Sequence, residues 1–157
     1  MNAPRPITTD DDALDMGTLS HSLGLLVRLA QVRMYDLFFA AFEGTDVRPG
    51  EISMLWMLDL NPGVRQGAVA RALQIKPAHM TKLVQQLVSA GHITRRIPPE
   101  DRRSVRLSLT DPGRQRLEDL KPTFLALHSA ESADLTPQDA AQLRLLLHKL
   151  AFPKDQP

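Results

Sequence analysis

The 157-residue sequence contains no cysteine and no long run of apolar residues. Without cysteine the chain can form neither disulfides nor thiolate metal sites, and cysteine-based redox sensing is excluded. No stretch approaches the roughly 18 apolar residues of a membrane helix, and no basic region followed by an apolar core opens the sequence. We therefore expect a cytoplasmic protein without a signal peptide or a membrane span.

The motifs of common enzymes are also missing. The sequence has no Gly-rich phosphate loop, no nucleophile elbow and no HExxH zinc motif. Its five histidines lack the close spacing of metal ligands: His21, His79, His92, His128 and His148. We expect no enzyme activity, no cofactor and no metal. The length is that of one domain with a real core.

Residues 66–91 have the pattern of two helices joined by a tight turn. QGAVARAL predicts a short helix, and residues 74–76 form the turn. The second helix is longer, with Pro77 at a favourable first position and Gly91 as its stop. Its apolar residues have the spacing of one buried stripe: Met80, Leu83, Val84, Leu87 and Val88. This is a helix-turn-helix pattern.

After Gly91 the period changes from helical to alternating. Residues 93–97 and 104–109 alternate in the manner of two strands, and a charged, proline-containing turn connects them. The sequence therefore predicts a β-hairpin, or wing. Residues 110–113 (TDPG) then predict the cap and first turn of another helix.

Positive charge is concentrated in this part of the chain. Residues 65–106 contain nine Lys and Arg and two acidic residues, a net charge of +7, although the whole chain carries only +1. Such asymmetry predicts a face that meets phosphates, with an affinity that falls steeply with salt. The alternative is a solvated surface that happens to be basic.

The first helix is predicted to run from Thr18 to Glu43, ended by Gly44. At 1.5 Å per residue it would be roughly 39 Å long. It has a broad apolar face: Leu19, Leu23, Leu26, Val27, Ala30, Met34, Leu37, Phe38 and Ala41. A small domain's own core cannot cover an apolar face of that length. We expect a second copy of the chain to cover it.

Three further helices are predicted. Pro49 opens one that ends at Leu60 and buries Ile52, Leu55, Trp56 and Leu58. Residues 111–131 form the next, which Pro122 should bend, with Leu117, Leu120, Phe124 and Leu127 on one side. The last begins at a Thr136 cap, closes at Pro153 and carries one apolar stripe: Ala140, Leu143, Leu146, Leu147 and Leu150.

The run from Pro49 to Leu120, with GAVARAL, MTKLVQQLVSAGHITR, DRRSVRLSLT and DPGRQRL, resembles the MarR family of winged-helix transcriptional regulators. The resemblance implies a mainly α fold with a small β-hairpin wing, in which long N- and C-terminal helices form a two-fold homodimer. It divides the chain into a flexible arm (1–17), dimerisation helices (18–48 and 111–157) and a winged helix-turn-helix lobe (49–110). Two residues depart from the family pattern. Arg48 stands where a threonine often opens the second helix, and Lys76 stands where a serine often precedes the recognition helix. Neither Arg48 nor Lys76 is a good N-cap.

A two-fold dimer predicts recognition helices about one DNA turn apart, ~34 Å, and a pseudo-palindromic operator in double-stranded DNA. On the second helix of the motif, we expect base edges or nearby phosphates to be contacted by His79, Thr81, Lys82 and Gln85, followed by Lys76 and Ala78.

At the wing tip, Arg102 and Arg103 should reach the flanking minor groove or its phosphates. Arg95, Arg96 and Arg106 are expected to contact the backbone or to hold the wing. Asp101 is expected to orient a wing arginine.

The resemblance also implies an effector, commonly a small aromatic acid or related anion, in a cleft between the dimer helices and the DNA-binding lobe. Candidate polar groups are His21, Arg28, Gln31 and Arg33, of which His21 and Arg28 are seven apart and predicted to share a helix face. Candidate apolar walls are Tyr35, Phe39, Trp56 and Met57. Arginine beside aromatic side chains suits an aryl carboxylate, and several arginines suit an aryl-CoA thioester. The alternative is that Trp56 and Met57 are ordinary core and the arginines ordinary surface.

The favoured function is a sequence-specific, ligand-responsive regulator, with repression expected by analogy because a compact dimer occludes DNA. The second hypothesis is a winged-helix protein–protein module without specific DNA binding, whose basic wing meets an acidic partner. The third hypothesis is an enzyme built on this fold, which would need a cluster of polar catalytic residues that the sequence does not show.

Overall fold

The structure is a computed structural model that describes residues 14–99 and 104–152. A 3-10 helix (Gly17–His21) is followed by α1 (Leu23–Ala41), α2 (Glu51–Leu60), β1 (Val64–Arg65), α3 (Gln66–Ala72), α4 (Pro77–Ser89), β2 (Ile93–Arg96), β3 (Arg106–Leu109), α5 (Asp111–Glu131) and α6 (Pro137–Ala151). These elements confirm the expected mainly α fold with a winged helix-turn-helix. None of the helices in the described ranges is long and apolar enough to cross a membrane.

The chain divides into two units between Asp36 and Leu37, the first N-terminal and the second C-terminal to this point. In the first, the expectation of one continuous helix from Thr18 is wrong, because Ser22 is extended (φ −67°, ψ 113°) and separates the 3-10 helix from α1. The Ser22 hydroxyl accepts a hydrogen bond from the Leu25 N–H at 3.5 Å, so Ser22 caps α1. None of the described residues of this unit is buried. Of the predicted N-terminal arm, residues 1–13 lie outside the described ranges.

The second unit has a core to which α2, α3, α4, α5 and the sheet contribute. Its least exposed large side chains are Ile52, Met54, Leu55, Leu58, Val69, Met80, Leu107 and Leu117, all below 2% exposure. Sequence reasoning placed most of these inside but missed Met54. It was wrong about Val88, which is 39% exposed, because the exposed side of α4 reaches further round the helix than the apolar pattern predicts.

The predicted hairpin is confirmed and a third strand joins it. The antiparallel sheet has the order β1-β3-β2, with Val64 opposite Leu107 and Ile93 opposite Leu109. The two-residue strand β1 was missed because it is too short for an alternating pattern to be visible. The Gln66 N–H donates to the Val105 carbonyl at 2.8 Å, which continues the β1–β3 pairing and ties the start of α3 to the sheet.

The helix ends were predicted with mixed success. The cap at Thr110 is confirmed, since its hydroxyl accepts from the Gly113 N–H at 3.0 Å, and Thr136 caps α6 in the same way through Asp139. The prediction that Pro49 opens α2 is wrong by two residues. Gly50 occupies the N-cap position with φ +89°, a left-handed conformation that glycine adopts without strain, and the helix begins at Glu51.

The last helix buries little of itself. Only Ala140 of α6 is buried, although the helix carries five leucines. Its leucines are 36–56% exposed: Leu143, Leu145, Leu146, Leu147 and Leu150. The helix ends at Ala151, and the predicted stop at Pro153 lies outside the described residues. Pro122 lies within α5, and the bend expected there stays a prediction.

Candidate nucleic-acid interface

The turn between α3 and α4 sets the geometry of the interface. Gln74 adopts φ +52°, a left-handed conformation that is uncommon for a residue with a side chain, and its side-chain Nε2 donates to the Arg71 carbonyl at 3.0 Å. The Ile75 N–H donates to the Ala70 carbonyl at 2.8 Å. Below the turn, Val69 and Met80 are buried at 1% exposure each. The two helices are therefore joined by a hydrogen-bonded turn over a packed apolar contact.

The face of α4 turned away from the core carries the predicted DNA contacts. Its buried side holds Met80, Leu83, Val84 and Leu87. All six residues predicted to contact DNA on this helix and before it are exposed: Lys76, Ala78, His79, Thr81, Lys82 and Gln85. With 3.6 residues per turn, Ala78, Lys82 and Gln85 lie at the centre of the exposed face, and His79 and Thr81 lie on opposite flanks.

The start of α4 has no side-chain cap. Lys76 is the N-cap residue and makes no capping hydrogen bond, as its chemistry predicted, while Pro77 occupies the first turn. The Thr81 hydroxyl donates to the Pro77 carbonyl at 2.9 Å. That hydroxyl proton is therefore used within the helix, so the exposed side of Thr81 presents a methyl group and a hydrogen-bond acceptor.

Sequence reasoning missed two residues of this surface. Gln86 and Ser89 are exposed on the same side of α4 as Lys82. Their helical spacing from Lys82 and Gln85 was the signal that could have identified them.

The wing strands carry three exposed arginines, Arg95, Arg96 and Arg106. Arg106 contributes to holding the wing, because its guanidinium donates to the Gly63 carbonyl at 3.0 Å. The Gly63 N–H donates in turn to the Ser108 hydroxyl at 3.0 Å. Two residues of β3 thus fix the loop that precedes β1. Arg102, Arg103 and Asp101 of the predicted wing tip lie outside the described residues.

Arg116 of α5 forms ion pairs with two acidic residues. Its guanidinium donates to Asp46 at 2.6 Å and to Glu51, at the first turn of α2, at 3.2 Å. The hydrogen bond from Arg116 and its positive charge hold the pKa of Asp46 below its ordinary value of 3.8. Glu51 is only 8% exposed, so Arg116 satisfies a carboxylate that water can hardly reach. This contact anchors α5 to the start of α2.

The residues predicted to bind an effector fall in both units. In the first, His21 lies on the 3-10 helix, and four more exposed residues lie on α1: Arg28, Gln31, Arg33 and Tyr35. The break at Ser22 puts His21 and Arg28 on different helices, so the spacing that predicted a shared face does not apply.

In the second unit, Phe39 is 56% exposed, whereas Trp56 and Met57 are partly buried against the core. The Trp56 ring lies edge-on to Phe124 at 6.3 Å, and the Lys121 ammonium lies 5.2 Å from its centre. The grouping of these residues with those of the first unit as one effector site stays a prediction.

Similarity to known proteins agrees with this architecture. Residues 47–105 match the profile of the MarR family. A protein of Thauera aromatica, named as the transcriptional regulatory protein for the hcr operon, is 31% identical over 147 residues, which cover 93% of this chain and 89% of that protein.

Two solved structures extend the comparison. The transcriptional repressor CouR, solved bound to a 23-mer DNA duplex, is 32% identical with a TM-score of 0.78, covering 90% of this chain and 100% of that chain. BpsR of Bordetella bronchiseptica is 23% identical with a TM-score of 0.80, covering 87% of this chain and 96% of that chain. At that identity the likeness to BpsR concerns the fold alone.

A helix-turn-helix with an exposed polar and basic second helix, followed by an arginine-bearing wing, defines a winged-helix DNA-binding protein. The similarity over almost the whole chain makes the assignment more specific. The chain belongs to the MarR family and is a DNA-binding transcriptional regulator rather than an enzyme.

Proposed function

We propose that the protein is a homodimeric repressor that binds a pseudo-palindromic operator and releases it when a small aromatic acid or aryl-CoA thioester binds. The observation that carries the DNA-binding part is the exposed face of α4, which lies directly before the arginine-bearing strands β2 and β3 in a segment of net charge +7. An amphipathic second helix with small, polar and basic outer residues suits a major groove.

The proposed homodimer is supported by the exposed leucine stripe of α6, which consists of Leu143, Leu146, Leu147 and Leu150. A lone subunit would leave these leucines in water, and burying one leucine side chain contributes about 1.5–3 kcal/mol. The 3-10 helix and α1 add further exposed apolar residues: Leu19, Leu23, Leu26, Val27 and Val32. A second copy of the chain provides a matching apolar surface by two-fold symmetry.

On DNA, we assign the centre of the α4 face, Ala78, Lys82 and Gln85, to base edges. His79 and Thr81 on its flanks contact bases or nearby phosphates, and Lys76 contacts the backbone. Arg95 and Arg96 are assigned to backbone contacts, and Arg106 both holds the wing and faces the backbone. Arg102 and Arg103 are assigned to the flanking minor groove.

For the effector, the candidate residues remain His21, Arg28, Gln31, Arg33, Tyr35, Phe39, Trp56 and Met57. The chemistry of arginine beside aromatic rings supports a planar aryl carboxylate, through paired hydrogen bonds and stacking. BpsR, which shares the fold, has its DNA binding regulated by 6-hydroxynicotinic acid. Trp56, Met57 and Phe124 are partly buried, which fits the edge of an ordinary core as well as the wall of an effector site. Titration with candidate ligands distinguishes these two roles.

The DNA-binding part is tested by gel shift with fragments upstream of the protein's own gene, at two salt concentrations, together with the solution mass of the protein. We expect a dimer that retains one fragment specifically and loses affinity steeply at the higher salt. A monomer that retains no fragment would contradict the proposal. Retention of no fragment, together with salt-sensitive binding to an acidic protein, would favour the protein–protein module.

The effector part is tested by calorimetric titration with benzoates, hydroxycinnamates and their CoA esters. We expect heat from at least one compound and release of the retained DNA fragment by the same compound. Heat that persists unchanged in an Arg28→Ala variant would remove Arg28 from the site. No heat and no release across the panel would exclude this class of ligand.

A further inference from the structure

Two arginines face each other across the wing. In the antiparallel pairing of β2 with β3, Arg96 lies directly opposite Arg106, and both side chains are exposed. Like charges at directly opposed positions destabilise a strand pair. An anion bound between the two guanidinium groups would remove this repulsion.

The opposed arginines line a cleft on one face of the sheet. The cleft has a volume of about 390 Å³ and is lined by Pro62, Gly63, Thr94, Arg96, Pro98, Arg106 and Ser108. Thr94 lies opposite Ser108 in the same register, so two hydroxyl groups adjoin the two guanidinium groups. None of these described lining residues is acidic, so none of them offers a carboxylate to the guanidinium groups.

Arg106 is held in position before any ligand arrives. Its guanidinium donates to the Gly63 carbonyl at 3.0 Å, and the Gly63 N–H donates to the Ser108 hydroxyl at 3.0 Å. A guanidinium has five N–H donors, so one contact with Gly63 leaves most of them for an anion. Holding a donor in position beforehand lowers the entropy cost of binding.

The neighbouring Arg95 does not share this cleft. Arg95 lies opposite Leu107, and successive side chains of a strand point to opposite faces. Arg95 is therefore on the face of the sheet that holds Leu107 and Ile93, whereas Arg96 and Arg106 are together on the other. The register separates two arginines that sequence reasoning treated alike.

We propose that this cleft is a phosphate-binding site, in which Arg96 and Arg106 together bind one phosphate of the DNA backbone beside the operator. Planar guanidinium groups bind phosphate oxygens through paired, charge-assisted hydrogen bonds. The phosphate also removes the repulsion between the two opposed arginines. This proposal rests on the proposed DNA-binding function and names a contact within it.

The test measures DNA affinity by fluorescence anisotropy across a salt series, using the full chain and its retained operator fragment. Arg96→Ala should weaken binding about tenfold and reduce the slope of log affinity against log salt by about one. The control is Arg144→Ala on α6, which removes the same charge from an exposed arginine outside the winged helix. It should leave the slope unchanged.

Methylphosphonate substitution then identifies the phosphate. A duplex with one neutral phosphate at the contacted position should weaken the wild type but should not weaken Arg96→Ala any further. Arg96→Lys should retain the salt slope with reduced affinity, because lysine supplies the charge without the paired donors. If Arg96→Ala matches Arg144→Ala in slope and affinity, the proposal is wrong, even if Arg96→Ala melts at a lower temperature.

A second arm distinguishes DNA from a free phosphate. Melting temperatures are measured without DNA in inorganic phosphate and pyrophosphate at constant ionic strength, for the wild type and Arg96→Ala. A rise seen only in the wild type, with unchanged DNA binding by Arg96→Ala, would make a free phosphate compound the occupant and overturn the DNA assignment. If the wild type retains no operator, the proposed function fails, and this arm still decides whether the cleft binds phosphate.

Discussion

The winged helix and the final helix, α6, differ in how far their leucines are exposed. In the winged helix, Leu55, Leu58 and Leu107 are at most 1% exposed. In α6, Leu146 and Leu150 are more than half exposed. Both regions carry several leucines, but only the first buries them within one chain.

This difference separates two sources of stability. The winged helix has a core of its own, so its geometry is set by contacts within the chain. The exposed stripe of α6 needs a surface that the described chain does not provide, and its stability should depend on protein concentration if a second copy provides it. Substitutions in the core of the winged helix should therefore reduce folding stability, whereas substitutions in the exposed stripe of α6 should reduce assembly.

The largest effect is expected from Gly113→Ala at the start of α5. A Cβ atom there would lie 1.8 Å from the backbone carbonyl oxygen of His92, which accepts a hydrogen bond from the Thr110 N–H. Backbone cannot move aside cheaply, so we expect the free energy of unfolding to fall by roughly 3 kcal/mol or more. Urea denaturation measures it.

The matched control is Gly67→Ala in α3. A Cβ at Gly67 meets nothing closer than the end of the Arg71 side chain at 3.7 Å. Alanine favours a helix over glycine by about 1 kcal/mol, so this variant should be as stable as the wild type or more stable. Equal stability of both alanine variants would show that the junction of the wing and α5 is looser than described.

The next largest effect is expected from Leu146→Asp in α6. A carboxylate in an apolar subunit contact is strongly unfavourable, so we expect dimer dissociation to become at least about 100-fold easier, with DNA affinity lost in parallel. Analytical ultracentrifugation measures the first and gel shift the second. Ala141→Asp, on the opposite side of the helix, is the control and should remain dimeric. A dimer unaffected by Leu146→Asp would mean that α6 is not the contact.

A smaller effect is expected from Thr81 on the proposed DNA-binding surface. Because its hydroxyl proton is donated to the Pro77 carbonyl, we expect the Thr81 methyl group to contact a thymine methyl group. Thr81→Ser should then weaken operator binding roughly fourfold, the value of one buried methyl group, while Thr81→Val should not. Replacing the contacted thymine by uracil should weaken the wild type but not Thr81→Ser. The reverse order of the two variants would assign the contact to the hydroxyl.

The smallest effect is expected from the pH dependence of the ion pair between Arg116 and Asp46. Arg116 lowers the pKa of Asp46 in the folded protein, so the pair stabilises the fold above the ordinary pKa of 3.8, and this contribution is lost as pH falls through the lowered value. The Asp46 side chain is largely exposed, so the contribution at pH 7 should be under about 1 kcal/mol.

We therefore expect Asp46→Asn to lower the urea midpoint slightly at pH 7, and the difference from the wild type to shrink at pH 3 and below. Asp36→Asn, which removes an exposed carboxylate of α1, is the matched control. A difference that grows at low pH would have the wrong sign for this ion pair.

Local patterns were predicted well where one physical signal dominated. Pro77 and Gly91 bracket α4 as expected, and Thr110 caps α5, because these residues act through their own backbone and side chain. Ser22 was missed as a break because apolar residues continue on both sides of it. A helix boundary set by one capping serine leaves no mark in the hydrophobic period.

The candidate site was predicted in composition but not in arrangement. The exposed residues of α4 follow from its amphipathic pattern. The separation of Arg95 from Arg96 depends on strand register, and the partner of Arg106 is the Gly63 carbonyl, 43 residues away along the chain. No local pattern contains either fact.

The amino-acid sequence alone determined that this is a winged-helix protein with a basic face, because periodicity, caps and charge act over a few residues at a time. Only the tertiary structure decided that β1 completes the sheet, that Arg96 and Arg106 share a cleft, and that α6 leaves its leucines exposed. These outcomes depend on contacts between residues distant in sequence, where register and packing determine which side chains meet.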